Sequence, residues 1–188
     1  MSQVTNKIIT NDILIPSIKR LYQVDYDNIR FGVSERNICA RLAHHMENIM
    51  REYDRSNNSY YFWNYYADVE YNRMGIGELK MYENSEKLPR YMVSDLLIQS
   101  RGYDQNYLAV EMKRKGNYRN AKEDRERLSS MVSSRPKNEE QRCVHDTLVG
   151  AFIVYGSEGV EIELFENANG SGEIAGIISL TLQELIDC

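Results

Sequence analysis

Glu111 and Lys113 stand two residues apart in YLAVEMKRKG, residues 107–116, a run whose apolar start reads as a buried strand. A carboxylate and an ammonium on such a strand need a reason, because charged side chains are seldom buried without one. Side chains alternate across a strand, so the two share one face about 7 Å apart while Val110 and Met112 share the other. The preceding apolar run, YMVSDLLIQS, is joined to this one by the short GYDQN. That spacing predicts antiparallel neighbours, with Asp95 beside Glu111 and with Val93 and Leu97 on the same face as Asp95. Two carboxylates held together in a half-buried place repel each other, so one takes up a proton or both share a cation. A hard divalent ion bound through oxygens is the simplest partner. The competing reading is an exposed cross-strand ion pair on a sheet with one wet face. It would also turn residues 93, 95 and 97 to water, which suits neither Val93 nor Leu97.

Two further acids are candidates for the same place. Glu70 lies in DVEYNR, at the end of an earlier strand-like run. On a helical wheel Glu35 falls about 20° from Leu42 and Met46, on the apolar stripe of the first helix. Its alternative role is to favour the helix N-terminus by charge. Glu47 points about 120° away from that stripe and faces solvent in this reading. The spacing Glu-x-Lys is common by itself: Glu78-Leu79-Lys80 repeats it within a polar, Gly-containing connection that shows no strand pattern.

The elements that would carry these residues follow from periodicity. Residues 12–31 read as an irregular or helical lead-in with Ile18, Leu21 and Tyr22 as its apolar face, limited upstream by Pro16. Ser34 is a good N-cap, and Ile38, Leu42, Met46 and Ile49 recur at helical spacing, predicting a helix over 34–52 closed by the polar DRSNNS. A strand is expected at about 65–73, then the strands of YMVSDLLIQS and YLAVEMKRK. A charged helix follows over 119–133 with Leu128, Met131 and Val132 inward. TLVGAFIVYG is apolar enough for a strand buried on both faces of a mixed sheet. VEIELFEN is a shorter strand, NGSG a turn, and Thr181 to Glu184 a capping box for a terminal helix.

Composition sets limits on function. At 188 residues and 42% hydrophobic, the chain is long enough for one domain with a substantial core, and nothing in it forces a second. It has no run of about 18 apolar residues and its N-terminus lacks the layout of a secretory signal, so a soluble cytoplasmic protein with no membrane partner is expected. Cys39, Cys143 and Cys188 are too few and too widely spaced for a disulfide framework or a zinc site. His44 and His45 point about 100° apart on their helix and cannot chelate one ion; with His145 they read as packing or surface residues. No nucleophile elbow or phosphate loop is present, which argues against a serine hydrolase or an NTPase. The net charge is −5, yet residues 113–127 hold seven Lys/Arg against three acids, a local +4. Such a strip fits a polyanion met at one place, and equally a solvated helix face laced with ion pairs. The run YYFWNYY could stack on bases, although aromatics entering a strand more often build core.

Taken together, the acid at the start of the first helix (VSERNICARLAHHME), DVEYNR, the Asp95 and Glu111-x-Lys113 pair of strands, the helix EDRERLSSMV and the strand GAFIVYG resemble the PD-(D/E)xK nuclease superfamily. The resemblance covers roughly residues 34–156, with Ser94 in place of the proline before the Asp. It implies a restriction-endonuclease-like αβββαβ core, a central mixed sheet flanked by helices. In that arrangement 1–33 would be a lead-in, 34–156 the core and 157–188 a C-terminal strand and helix of one domain. It further implies a metal-dependent nuclease acting on phosphodiester bonds, with DNA the expected substrate. Asp95, Glu111 and the Met112 carbonyl would hold Mg²⁺ or Mn²⁺, and Lys113 would be the active-site lysine, a cation rather than a general base. Glu70 and Glu35 would be supporting acids. Arg114, Lys115, Arg119, Lys122 and Arg125 would contact nucleic-acid phosphates. A homodimer that cuts both strands is a further expectation of the resemblance, and a non-cleaving nucleic-acid- or protein-binding regulator of the same fold is the alternative.

Overall fold

The computed structural model describes residues 4–70, 73–74, 78–79, 81–83, 89–91, 93–100, 106–134 and 144–187. Most of the N-terminal lead-in is helical, from Ile8 to Arg30. A π-helical stretch, Ile8–Leu14, runs into α1, Ile15–Arg30, with Pro16 in the first turn of α1. Proline supplies no N–H to the preceding turn, and the wider hydrogen-bond register of the π-helical stretch lets the helix continue where the sequence predicts a limit. Ile9, Ile13, Leu14, Ile18, Leu21 and Tyr22 from this segment are buried, so it is a core element and not a peripheral lead.

Ser34 caps α2, Glu35–Asn57, by accepting the Asn37 N–H, and the helix ends at Asn58 in the left-handed conformation (φ 47°). It outruns the predicted end by five residues. Asp54, predicted to lie in the closing loop, instead sits in the last turns and accepts the N–H groups of Tyr61 and Phe62, fixing the chain that follows.

Ten strands are described: β1 Tyr66–Val69, β2 Arg73–Met74, β3 Glu78–Leu79, β4 Met81–Glu83, β5 Pro89–Tyr91, β6 Leu96–Gln99, β7 Asn106–Arg114, β8 Val149–Gly156, β9 Gly159–Ala168 and β10 Ser171–Thr181. Helix α3, Ala121–Val132, joins β7 to β8, and α4, Leu182–Ile186, follows β10. Six strands form one mixed sheet in the order β1-β6-β7-β8-β9-β10, parallel only between β7 and β8; β2 with β3 and β4 with β5 make two small separate ladders. The protein is therefore a mixed α/β fold with a six-stranded sheet flanked by helices.

The central strands are buried on both faces, which explains their near-continuous apolar sequence. Leu96, Ile98, Leu108, Val110, Met112, Ala151 and Ile153 pack against α1 and α2, whereas Leu97, Ala109 and Phe152 belong to a second apolar cluster with Leu128, Met131 and Val132 of α3. Glu111 and Lys113 share the register of Ala109, so they point to the α3 side.

The strand predicted over YMVSDLLIQS is shorter than expected. Tyr91 pairs in the β4–β5 ladder, β6 begins only at Leu96, and Val93 is exposed. The reason is Asp95, whose Oδ2 accepts the Met112 N–H at 2.7 Å and so replaces a backbone carbonyl where the ladder would otherwise continue. Strand β1 likewise ends at Val69, because Glu70 takes a positive φ of 52°. Strand β10 was not predicted: a bulge between Ile174 and Gly176 shifts its register, and Ile174 and Ile177 stand on exposed positions, so SGEIAGIISLT does not read as an alternating strand. Asn169 and Gly170, both at positive φ, turn β9 into it. The predicted capping box forms, with Thr181 and Glu184 exchanging both hydrogen bonds. The second Glu-x-Lys, through Lys80, and most of the GYDQN turn lie outside the described residues, as do Cys143 and Cys188.

Candidate active site

Strand register brings the predicted pair together. Leu96 pairs with Val110 and Leu97 with Ala109, so the antiparallel register sets Asp95 opposite Glu111. The Asp95 carboxylate is anchored on the Met112 amide, the peptide between Glu111 and Lys113. Asp95 is half-buried and Glu111 only 1% exposed. Burial raises both carboxyls above their ordinary range: Glu111 to about 8 despite the opposing hydrogen bond and charge of Arg127, and Asp95 despite the Met112 N–H and Lys113. Asp124 adds to both shifts by like charge. Burial, more than repulsion between the two, is the first cause of both shifts, with the Asp95 charge adding to that of Glu111.

Helix α3 supplies the other half of the site. Arg127 donates from Nε to Glu111 Oε1 at 2.7 Å and from Nη2 to Asp124 Oδ1 at 2.5 Å. Asp124 Oδ2 in turn lies 2.9 Å from Lys113 Nζ. Burial by itself would lower the Lys113 ammonium, but the hydrogen-bonded Asp124 carboxylate, with Asp95 and Glu35 behind it, raises it above its ordinary range. The Asp124 carboxylate thus favours the charged form of Lys113. Asp124 and Arg127 went unrecognised as site residues in the sequence, where they counted only toward the charge of the strip. The signal was there: Asp124 is four residues before Leu128 and seven before Met131, on the buried stripe of α3, the same test that singled out Glu35.

Glu35 stands in the first turn of α2, where its charge suits the helix N-terminus, and it also ties in the chain beyond β7. Its Oε1 accepts the Arg114 N–H at 3.3 Å and the Asn117 side-chain amide at 2.8 Å, tying the start of α2 to the end of β7. Glu70 reaches Arg36 at 3.0 Å near the surface, while its N–H donates to the Asp95 carbonyl. Both acids therefore border the pair without joining Asp95 and Glu111 directly. Cys39, one turn into α2, reports their shared neighbourhood: burial raises its thiol, and the charges of Asp95, Glu111, Glu35 and Glu70 all push the same way. Its Sγ contacts Met112 Sδ at 3.4 Å.

The basic strip divides. Arg114, Lys115, Arg119 and Lys122 are exposed, with Lys115 beside Glu158 and Lys122 near Glu126. Arg125, expected among the phosphate contacts, is instead clamped by two 2.6 Å bonds to Glu163 and lies over the Phe152 ring. Helix α3 turns Arg125 onto β9, where fork-to-fork pairing with a carboxylate holds it.

Among the described residues no three His, Cys, Asp or Glu side chains gather closely enough to cage an ion by themselves. Mg²⁺ does not need such a cage: it is commonly held by one or two carboxylates with water and substrate phosphate completing the shell. Asp95, Glu111 and the Met112 carbonyl offer oxygen donors of that kind, and two carboxyls raised by burial and by like charge fit a cation. In comparisons with known proteins, no family model, no curated protein and no solved structure matches the chain. Among the described residues no helix is long and apolar enough to cross a membrane.

Proposed function

We propose that the protein is a metal-dependent nuclease of the PD-(D/E)xK type that hydrolyses phosphodiester bonds, with DNA as the expected substrate. One observation carries this reading: the Asp95 carboxylate is fixed on the amide in the middle of the Glu111-Met112-Lys113 triplet. Two acids and a lysine from adjacent strands are thereby held at one spot on a rigid sheet. The order α2, β1, β6, β7, α3, β8 in and around the main sheet supports it as well.

Hydrolysis adds water to phosphorus, breaks the bond to the leaving oxygen, and leaves that oxygen to take a proton while the water gives one up. Mg²⁺ held by Asp95, Glu111 and the Met112 carbonyl would polarise the phosphate and make the attacking water more acidic. Lys113, kept protonated by Asp124, meets the negative charge that gathers on the phosphate oxygens. Exposed Arg114, Lys115, Arg119 and Lys122 hold the backbone by its phosphates, which positions a strand without reading its sequence. Glu35 fixes the β7 end by its bonds to Arg114 and Asn117.

The second reading is a non-cleaving member of the same fold. What favours it is that Glu111 and Lys113 are both engaged by α3 side chains, Arg127 and Asp124. Cleavage of plasmid, linear, single-stranded and branched DNA and of RNA, with Mg²⁺ or Mn²⁺, separates the two. Metal-dependent cleavage lost in Asp95→Asn and Lys113→Ala supports the nuclease. Binding of nucleic acid with no cleavage by any of the three supports the regulator.

A further inference from the structure

Arg127 divides its guanidinium between two carboxylates on different elements. Nε goes to Glu111 on the sheet, and Nη2 goes to Asp124 on its own helix, three residues back. Asp124 also holds Lys113, so four charged groups close a chain from Glu111 to Lys113. Arg127 is 15% exposed and Glu111 2% by side chain, so neither charge is relieved by solvent. An ion pair this deeply buried contributes little to stability compared with apolar residues of the same size. Its cost of desolvation makes sense if one member has another partner in the working state.

We infer that Arg127 is a built-in counter-ion of this site: it keeps the place on Glu111 that a divalent cation takes, and Asp124 retains the guanidinium when that cation enters. The inference rests on the metal-dependent reading above. The geometry suits an exchange because the two bonds are independent. Releasing Glu111 leaves the Asp124 bond intact, and the Tyr82 ring, 5.7 Å from the guanidinium carbon, offers a face for the cation to rest against. A divalent ion and a guanidinium on the same carboxylate repel each other, so entry of one withdraws the other. Asp124 stays bonded to Lys113 throughout, which keeps the ammonium aimed at the site while the charge on Glu111 changes hands. Arg127 is thus a positioning residue that acts through Glu111, and it sets the threshold of cation concentration at which the site is filled.

The test measures metal binding, not cleavage. Mn²⁺ affinity would be followed by electron paramagnetic resonance for the wild type, Asp95→Asn, Arg127→Met and Arg127→Lys. Arg127→Met is expected to bind Mn²⁺ about tenfold more tightly than the wild type. It should also melt at a lower temperature in EDTA and recover when Mn²⁺ is added. Arg127→Lys keeps the charge without the fork and should fall between. A wild-type measurement covers the case in which Arg127→Met does not fold: the Arg127 Nε–H resonance, assigned by its loss in Arg127→Lys, should shift on saturation with Mg²⁺. An unshifted resonance under saturating Mg²⁺, or folded Arg127→Met with unchanged or weaker Mn²⁺ affinity, overturns the inference alone. If the wild type binds no Mn²⁺ that Asp95→Asn abolishes, the metal-dependent reading falls and this inference falls with it.

Discussion

Two clusters of buried charge in this molecule use the same residue types and end in opposite electrostatic states. Between α1 and α2, Asp25 is met by Arg41 Nε at 2.8 Å and by His45 Nε2 at 2.6 Å, with the Asn28 amide alongside. Burial by itself would raise this carboxyl, but its hydrogen bonds and the neighbouring charges lower it below its ordinary value of 3.8. Between the sheet and α3, three carboxylates (Asp95, Glu111 and Asp124) share two cations, Lys113 and Arg127, and burial leaves Glu111 and Asp95 raised. Donors gather around one acid in the first cluster, whereas acids outnumber donors in the second. The first cluster is a pin between two helices, placed where α1 leaves helical geometry at Asp25 (φ −115°, ψ 17°). The second holds more acids than cations, and burial keeps two of those acids raised.

Breaking each cluster should therefore cost different things. The largest effect expected is on cleavage: Asp95→Asn and Lys113→Ala should each lower the rate by roughly 10³-fold or more, with circular dichroism unchanged. Asp25→Ala should do the reverse. It should cost about 3 kcal/mol in urea unfolding, since it leaves a buried histidine and an arginine without their acid, and should leave the cleavage rate per folded molecule unaltered.

The pH dependences should have opposite signs. Asp25 has a folded pKa below its unfolded one, so its contribution is complete above about pH 4 and is lost as pH falls through the folded value. The stability gap between wild type and Asp25→Asn should close in acid. Glu111 has a folded pKa of about 8, above the unfolded 4.5, so its contribution is complete below pH 4.5 and is lost as pH rises through 8. Glu111→Gln, which copies the protonated carboxyl, should stay within about 1 kcal/mol of metal-free wild type below pH 4.5 and overtake it as pH rises from 4.5 to 8. Denaturation in EDTA across that range checks both signs.

The smallest effects concern the basic strip. Arg119→Ala should weaken DNA binding uniformly and reduce the salt slope by about one. Arg125→Ala should leave the slope unchanged and lower stability, because Arg125 is spent on Glu163 and Phe152.

How much of this was legible in the sequence follows from where each signal comes from. Alternation placed Glu111 and Lys113 on one face of β7, and the short connection placed Asp95 opposite Glu111, because both are local consequences of strand geometry. The inward set of α3 and the cap at Thr181 were legible for the same reason. The α3 face of the site was not read, although the buried stripe marks Asp124, because charge counting treated Arg127 and Asp124 as surface before their burial was known. Strand β10 escaped because its bulge and the exposed Ile174 and Ile177 break the apolar/polar alternation that identifies a strand. The π-helical entry to α1 escaped because Pro16 signals an end, and the wider register that carries the helix past it leaves no mark in the sequence.

The central claim, that the acid-rich cluster is a cleavage site and the balanced one a structural pin, is tested most directly with supercoiled plasmid in Mg²⁺. Wild type, Lys113→Ala and Asp25→Asn would be compared at a temperature where all three are folded. Nicking by wild type and by Asp25→Asn, with none by Lys113→Ala, is the predicted result. Equal nicking by Lys113→Ala and wild type, or no nicking by any of the three, would contradict it.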